Sequence, residues 1–152
     1  MPGYELSGGR QLAELAARMK KAGRGELVRI MAKEMRTEMK PVIAEQKANV
    51  RSLKHAPPEW KTASARATRA RVTTGAKTAR IGIAIGKGKV GSQARNMNRG
   101  TWRHPLFGDT EHWYPQRVVS GWFDSPTRDA DIRLRAKMRE ILDRYLRLLG
   151  GQ

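Results

Sequence analysis

The spacing of apolar residues predicts helices at both ends of the chain. Residues 11–22 form a short amphipathic pattern, and a longer one begins at Glu26. Pro41 lies inside the second pattern, where it removes a backbone donor and either kinks the helix or ends one segment and begins another. The clearest pattern starts at Ser125, a suitable cap, and ends at Gly150. Its apolar stripe, which we expect to face the core, comprises Leu134, Met138, Ile141, Leu142, Tyr145, Leu148 and Leu149.

Alternating apolar and polar positions predict strands in the middle of the chain. Residues 69–74 and 79–85 each alternate apolar side chains with arginine, glycine or alanine. The short connection between them, residues 75–78, favours a β-hairpin. One face of this hairpin is apolar and is expected to pack on the long helix, whereas the other face is small and basic. Val118 and Val119 suggest a further strand.

Three segments lack such patterns. We expect a flexible N-terminus at residues 1–9 and mobile loops at residues 54–67 and 86–100, because these stretches offer few apolar side chains to bury. The elements together predict a single α+β domain over residues 1–152, with two N-terminal helices and a C-terminal helix packed on a small antiparallel sheet. Such a sheet has open edges, which invite pairing with a neighbouring subunit.

Composition narrows the classes of partner. The 152 residues carry a formal charge of +17, which attracts nucleic acid, acidic membrane surfaces or acidic proteins. The chain contains no cysteine, which excludes disulfides and thiolate metal ligands. Residues 1–10 hold no apolar run like that of a signal peptide, and no stretch of about 18 apolar residues occurs. We therefore expect a protein that is made in a cytoplasm and has no membrane partner.

Acidic residues are missing from one part of the chain, residues 60–108, which we call the basic segment. It holds eleven lysines and arginines, whereas the flanks hold 20 basic residues and all 14 acidic ones. Cations spread along a hairpin and a loop can neutralise phosphates at many points, with Trp102 nearby for stacking. The candidate contacts with a subunit, a partner or DNA are Arg66, Arg69, Arg71, Lys77, Arg80, Lys87, Lys89, Arg95, Arg99, Trp102, Arg103 and His104.

Two short motifs partly match the sequence patterns of cofactor-binding or catalytic sites. Residues 86–91, Gly-Lys-Gly-Lys-Val-Gly, match the GxGxxG pattern, but a dinucleotide site also needs a helix that begins there and a second parallel strand. Residues 92–99 are weakly helical at best, and no second parallel strand follows them. A flexible loop is therefore the favoured interpretation. His104, Asp109, Glu111 and His112 lie close together, yet their spacing matches no metal-site pattern. The sequence thus predicts no catalytic residue, no metal site, no cofactor and no enzyme.

The aromatic region that follows residue 97 resembles a known family. Three strings carry the resemblance: Asn98-Arg-Gly-Thr-Trp-Arg-His-Pro-Leu-Phe-Gly108, Trp113-Tyr-Pro-Gln116 and Gly121-Trp-Phe123. With the order of elements from residue 11 to residue 149, they are similar to the neck and tail-completion (head–tail joining) proteins of long-tailed bacteriophages, in the form common among phages of actinobacteria.

This resemblance implies a non-enzymatic component of the virion, assembled in the cytoplasm of the host bacterium. The protein would form a homo-oligomeric ring, expected to be a hexamer, between the capsid portal and the tail tube, and DNA would pass through its lumen. Its partners would be adjacent neck or portal-side proteins and the tail tube protein. Two alternatives stay open: a stand-alone basic nucleic-acid-binding protein, and a metal-dependent nuclease that uses His104, Asp109 and His112.

Overall fold

Helices dominate the fold, which was obtained as a computed structural model that describes residues 3–5, 9–54, 56–74, 79–86, 88–106 and 109–150. These residues form six helices and two antiparallel sheets, which confirms the predicted α+β class. The helices are α1 (Gly9–Lys21), α2 (Gly25–Glu38), α3 (Lys40–Ser52), α4 (Pro58–Ala67), α5 (Lys89–Asn98) and α6 (Asp124–Gly150). The strands are β1 (Gly3–Glu5), β2 (Arg69–Thr74), β3 (Ala79–Ala84), β4 (Thr101–Leu106) and β5 (Asp109–Arg117).

The long second helix of the sequence prediction is in fact two helices. The first ends at Glu38 and the next begins at Lys40, with Met39 between them. Pro41 lies in the first turn of α3, where a backbone N–H has no acceptor within the helix and its loss costs little. Pro41 therefore does not kink a continuous helix; one helix ends before it and another begins.

Strands β1, β3 and β2 form a three-stranded sheet in that order. Ala70 pairs with Ile83 and Val72 with Ile81, so these four side chains share one face, which packs against α1 and α2 as predicted. The prediction of a flexible N-terminus is wrong for Gly3–Glu5, because this short strand pairs with β3. The connection at residues 75–78 lies outside the described residues.

Residues 58–67, predicted to be a loop, form α4. Pro58 occupies the first turn and Glu59 follows it, where a carboxylate is favoured by the partial positive charge of the helix start. Trp60 is buried, and so are Ser64 and Ala65, which lie four and five residues after it. The pattern was hard to recognise because two of its three buried positions are small side chains. Residue 55 lies outside the described residues.

Residues 89–98, also predicted to be a loop, form α5. Its buried positions are Gly91, Ala94 and Met97, three residues apart, so one helical face is apolar even though the composition is polar. Gly100 follows the helix with a φ of +92° and donates its N–H to the Met97 carbonyl, an ordinary way for a helix to end. A Cβ on Gly91 would lie 2.4 Å from the carbonyl oxygen of Gly86, so only glycine permits this close packing.

Strands β4 and β5 pair antiparallel into a hairpin, which we call the arm. The strand predicted at Val118 and Val119 is wrong, because β5 ends one residue earlier, at Arg117. Every residue of Asp109–Arg117 is exposed except the half-buried Gln116. The arm contacts the body through β4, which lies beside α5, whereas most of β5 projects from the body.

The turn that joins the arm to α6, residues 118–123, is the junction turn. Three side-chain amides from α3 and α5 hold its backbone: Gln46 Nε2 donates to the Phe123 carbonyl at 2.8 Å, and Asn49 Nδ2 donates to the Trp122 carbonyl at 3.0 Å. Asn98 Oδ1 accepts from the Phe123 N–H at 3.0 Å. The turn is therefore fixed to two helices that are distant from each other in the sequence.

Helix α6 follows the junction turn and packs on α1, α2 and α3. Its stripe from Leu134 to Tyr145 is buried as predicted and Leu149 is partly buried against the core, but Leu148 is exposed. Glu34 of α2 accepts hydrogen bonds from Arg144 and from the Tyr145 hydroxyl. Burial, followed by the charge of Glu34, raises the pKa of the Tyr145 hydroxyl, so this group stays protonated at neutral pH.

We expect Gln46→Ala to lower the free energy of unfolding by about 2 kcal/mol or more. The substitution leaves the Phe123 carbonyl and the Thr127 hydroxyl, which Gln46 Nε2 also contacts at 2.8 Å, without their buried donor. Urea denaturation followed by tryptophan fluorescence measures the change. Gln11→Ala removes the same side chain from an exposed helical site and should change stability by less than about 0.5 kcal/mol. Equal effects of the two substitutions would contradict the anchoring role of Gln46.

Candidate nucleic-acid and protein interface

The candidate contact residues of the basic segment are distributed over several elements. Arg66 lies in the last turn of α4, Arg95 lies in α5 and Arg99 lies just after it, and all three are exposed. Lys77 and Lys87 lie outside the described residues. Lys89 and His104 are described by their backbones alone, in α5 and β4. The structure thus brings the remaining residues together in smaller groups.

One group occupies the outer face of the three-stranded sheet. Arg71 pairs with Gly82 and Thr73 pairs with Arg80, so Arg71 and Arg80 share the face that points away from the helices. Arg69, two residues before Arg71, lies on the same face. Arg69 and Arg80 are exposed and Arg71 is half-buried. This face carries three arginines near Gly82, and β1 places Glu5 opposite Gly82 on the other side in the register. The excess of positive charge suits the approach of a phosphate backbone or of an acidic protein surface.

A second group lies where α5 meets the arm. Arg103 and Trp113 line a shallow groove of about 470 Å³ together with Asn96 and Thr101. Arg103 is exposed, and the indole of Trp113 is 48% exposed. Its Nε1 donates to the Thr110 carbonyl at 2.8 Å, which fixes the orientation of the ring. An oriented indole beside an arginine can stack on a flat apolar or aromatic group of a partner.

Trp102 does not take the stacking role that the sequence suggested. It is only 8% exposed and packs with the ring of Trp60 at a centroid distance of 6.0 Å. Trp60 also meets Trp122 edge-on at 6.2 Å, and Trp122 meets Phe123 at 5.7 Å. These four rings form an aromatic cluster that joins α4, β4 and the junction turn, so Trp102 supports the fold and is not offered to a ligand.

Among the described residues of the arm, the exposed aromatic ones are Trp113 and Tyr114, and neither was a candidate contact in the sequence prediction. Tyr114 is 58% exposed. Exposed aromatic residues in adjacent positions are unusual on a surface that no partner covers. The sequence held only a weak signal: Trp113 and Tyr114 follow a polar stretch, residues 109–112, but Trp102 has polar neighbours too.

The acidic residues at the start of β5 form a local turn. Asp109 accepts the Glu111 N–H at 2.8 Å, and its other oxygen lies 2.7 Å from His112 Nδ1. These contacts, the backbone one first, hold the pKa of the Asp109 carboxyl below its usual value, so it is negatively charged at neutral pH. Among the described residues, no group of three or more His, Asp or Glu side chains could hold a metal ion.

The GxGxxG motif has a different explanation from the one expected. A helix does begin here, at Lys89, so the prediction of a loop was wrong. However, all strand pairs in the described part of the chain are antiparallel, and β4, which follows α5, belongs to a separate sheet. Packing accounts for two of the three glycines: a Cβ on Gly91 would meet the Gly86 carbonyl oxygen, and a Cβ on Gly86 would lie 3.1 Å from the Cβ of Ala67.

Comparison with protein-family models, curated proteins and solved structures found no match for this chain. Within the part of the chain that the structure describes, no helix is long and apolar enough to cross a membrane.

Truncation of the two tryptophans of the arm should lower stability by very different amounts. Trp102→Ala empties part of the aromatic cluster and should lower the free energy of unfolding by about 3–5 kcal/mol. Trp113→Ala removes an exposed ring and should lower it by less than about 1 kcal/mol. Chemical denaturation monitored by circular dichroism measures both. A stable Trp102→Ala protein would show that this ring is not part of the core.

Proposed function

We propose that this chain is a structural protein of a phage neck or tail end, which assembles into a ring around the DNA channel between the portal complex and the tail tube. The observation that carries the proposal is the arm. A two-stranded hairpin with exposed residues on both faces is marginally stable alone, and it carries adjacent exposed aromatic residues that an assembled partner would cover.

The edges of the sheets support assembly by the same physical argument. In the three-stranded sheet, β1 and β2 are the outer strands, and each pairs only with β3 among the described strands. No other described strand pairs with their outer edges, and such an edge can accept a strand from a neighbouring subunit. The three strings on which the family resemblance depends lie in the arm, in the turns around it and in the junction turn, so the resemblance and the projecting element coincide in the chain.

The charge distribution fits a ring that encloses DNA. The outer sheet face carries Arg69, Arg71 and Arg80 on β2 and β3, against one acidic residue, Glu5, at a register position of β1 on the same face. If this face lines the lumen, its guanidinium groups meet phosphates without a need for base recognition, as a channel requires. The neighbours in the particle, portal-side neck proteins and the tail tube protein, are part of the same proposal.

Purified full-length protein should form a closed ring of discrete subunit number, six in our proposal. Sedimentation velocity over a concentration series gives the mass of the assembly, and negative-stain electron microscopy shows whether it has a central opening. A protein that stays monomeric at every concentration, and that sediments as a monomer beside preformed portal or tail-tube rings, would overturn the proposal.

A stand-alone nucleic-acid-binding protein is the second candidate, and the outer sheet face favours it. Such a protein would bind duplex DNA as a monomer, with an affinity that falls steeply as salt rises. In that case, replacing Arg69, Arg71 and Arg80 with Ala should reduce the slope of log K against log salt by about 2–3. Replacing Arg18, Arg29 and Arg133, three exposed cations of the flanking helices, removes the same charge and serves as the control. For a ring protein we expect weak binding to free DNA and equal effects of both triple variants.

A further inference from the structure

A groove lies at the base of the arm, between the end of α3 and the junction turn. It has a volume of about 630 Å³, and apolar side chains of Leu53, Val118, Val119 and Trp122 form much of its lining. Val119 is 73% exposed. Exposed Lys54 and Arg117 also line the groove, and its lining within the described residues includes no acidic side chain. The groove thus combines an apolar floor with positive charge.

The far part of the arm has the opposite character. Asp109 and Glu111 are exposed, and they are the first acidic residues after the basic segment. Trp113 and Tyr114 follow them with exposed rings. The arm therefore carries two carboxylates, that of Asp109 in contact with His112, followed by one exposed aromatic ring on each of its two faces. The groove presents two positive charges beside an apolar surface. The charges of the arm and of the groove are opposite in sign, and each of these surfaces also has an apolar part that the other can cover.

The arm cannot fill the groove of its own chain. Arg117 lines the groove and pairs with Thr101, whereas Asp109 pairs with Leu106, five residues further along β4. At about 3.3 Å per residue, this register places Asp109 roughly 17 Å from the groove. A hairpin with both strands paired does not fold back over that distance. The occupant must come from another molecule.

We propose that the arm of one copy docks in the groove of the next copy, with Trp113 or Tyr114 on the apolar floor and Asp109 and Glu111 beside Lys54 and Arg117. This inference rests on the proposed ring and identifies its subunit contact. Each copy gives one arm and receives one arm, so the two surfaces in contact differ. Such head-to-tail contacts produce a closed ring when the rotation between copies closes, and a filament when it does not.

Two variants test the contact from its two sides. Val119→Glu places a charge on the apolar floor, and Trp113→Ser with Tyr114→Ser removes the rings of the arm. Each should weaken self-association by about tenfold or more, since a buried apolar anchor carries a large share of the binding free energy. Ile132→Glu is the matched control, because Ile132 is 85% exposed on α6 and lies outside the groove. It should assemble as the unchanged chain does, and circular dichroism confirms that all variants are folded.

Mixing the two variants distinguishes this contact from a symmetric one. The groove variant keeps an intact arm and the arm variant keeps an intact groove, so one productive contact forms and neither end can extend it. Sedimentation of the mixture should show a dimer with one copy of each variant, whereas each variant alone stays monomeric. A mixture that remains monomeric overturns the proposal, as does assembly that is unaffected by Val119→Glu.

The outcomes also separate this inference from the function on which it rests. Rings that form normally in both variants would leave the ring protein standing and overturn only the contact between arm and groove. If the protein without substitutions is monomeric at all concentrations, the groove cannot be occupied by a second copy of the chain, and the proposed contact is wrong. If that monomer then joins preformed portal or tail-tube rings, the neck function would stand without this contact.

Discussion

The junction turn is the part of the molecule on which the placement of the other elements depends. Its backbone cannot form regular secondary structure, so its buried polar groups need partners from elsewhere. Gln46, Asn49 and Asn98 provide them, and Asn98 Nδ2 also donates to Asp124 at the start of α6. These amides join α3, α5, the base of the arm and the last helix at one point.

The aromatic cluster adds apolar packing to the same place. Trp122 and Phe123 leave the junction turn and meet Trp60, which itself meets Trp102 of the arm. The hydrogen bonds fix the path of the backbone, and the rings exclude water from those bonds, which makes each bond stronger. Because the arm begins and ends beside this cluster, its direction relative to the body is fixed even though most of its length touches nothing else in the described chain.

Elements with strong apolar periodicity were predictable from the sequence, and those with small buried side chains were not. The stripe of Leu134, Met138, Ile141 and Tyr145 identified α6, and the alternation of isoleucines with small residues identified β3. In contrast, α4 and α5 bury Ser64, Ala65, Gly91 and Ala94, which carry little apolar signal. The boundary at Met39 was foreseen as one of two outcomes, since Pro41 is compatible with both.

The sequence predicted the positive charge of the candidate site but did not identify its exposed aromatic residues. The basic segment does place arginines together on one sheet face, because residues two apart on a strand share a face. Which tryptophan is exposed could not be read from the sequence, since Trp102 and Trp113 have similar polar neighbours. Trp102 is buried because its ring packs on Trp60 of α4, a contact between distant segments that no local pattern encodes.

The small contact area between the arm and the body has a consequence for how the protein opens. Local stability follows the amount of apolar surface that a segment buries, and the arm beyond Trp102 buries little. Its amide hydrogens are held mainly by the hydrogen bonds between two strands, whereas those of α3 and α6 lie over the common core. The arm is therefore a separate unit of opening, which unzips from its free end while the helices keep their native packing.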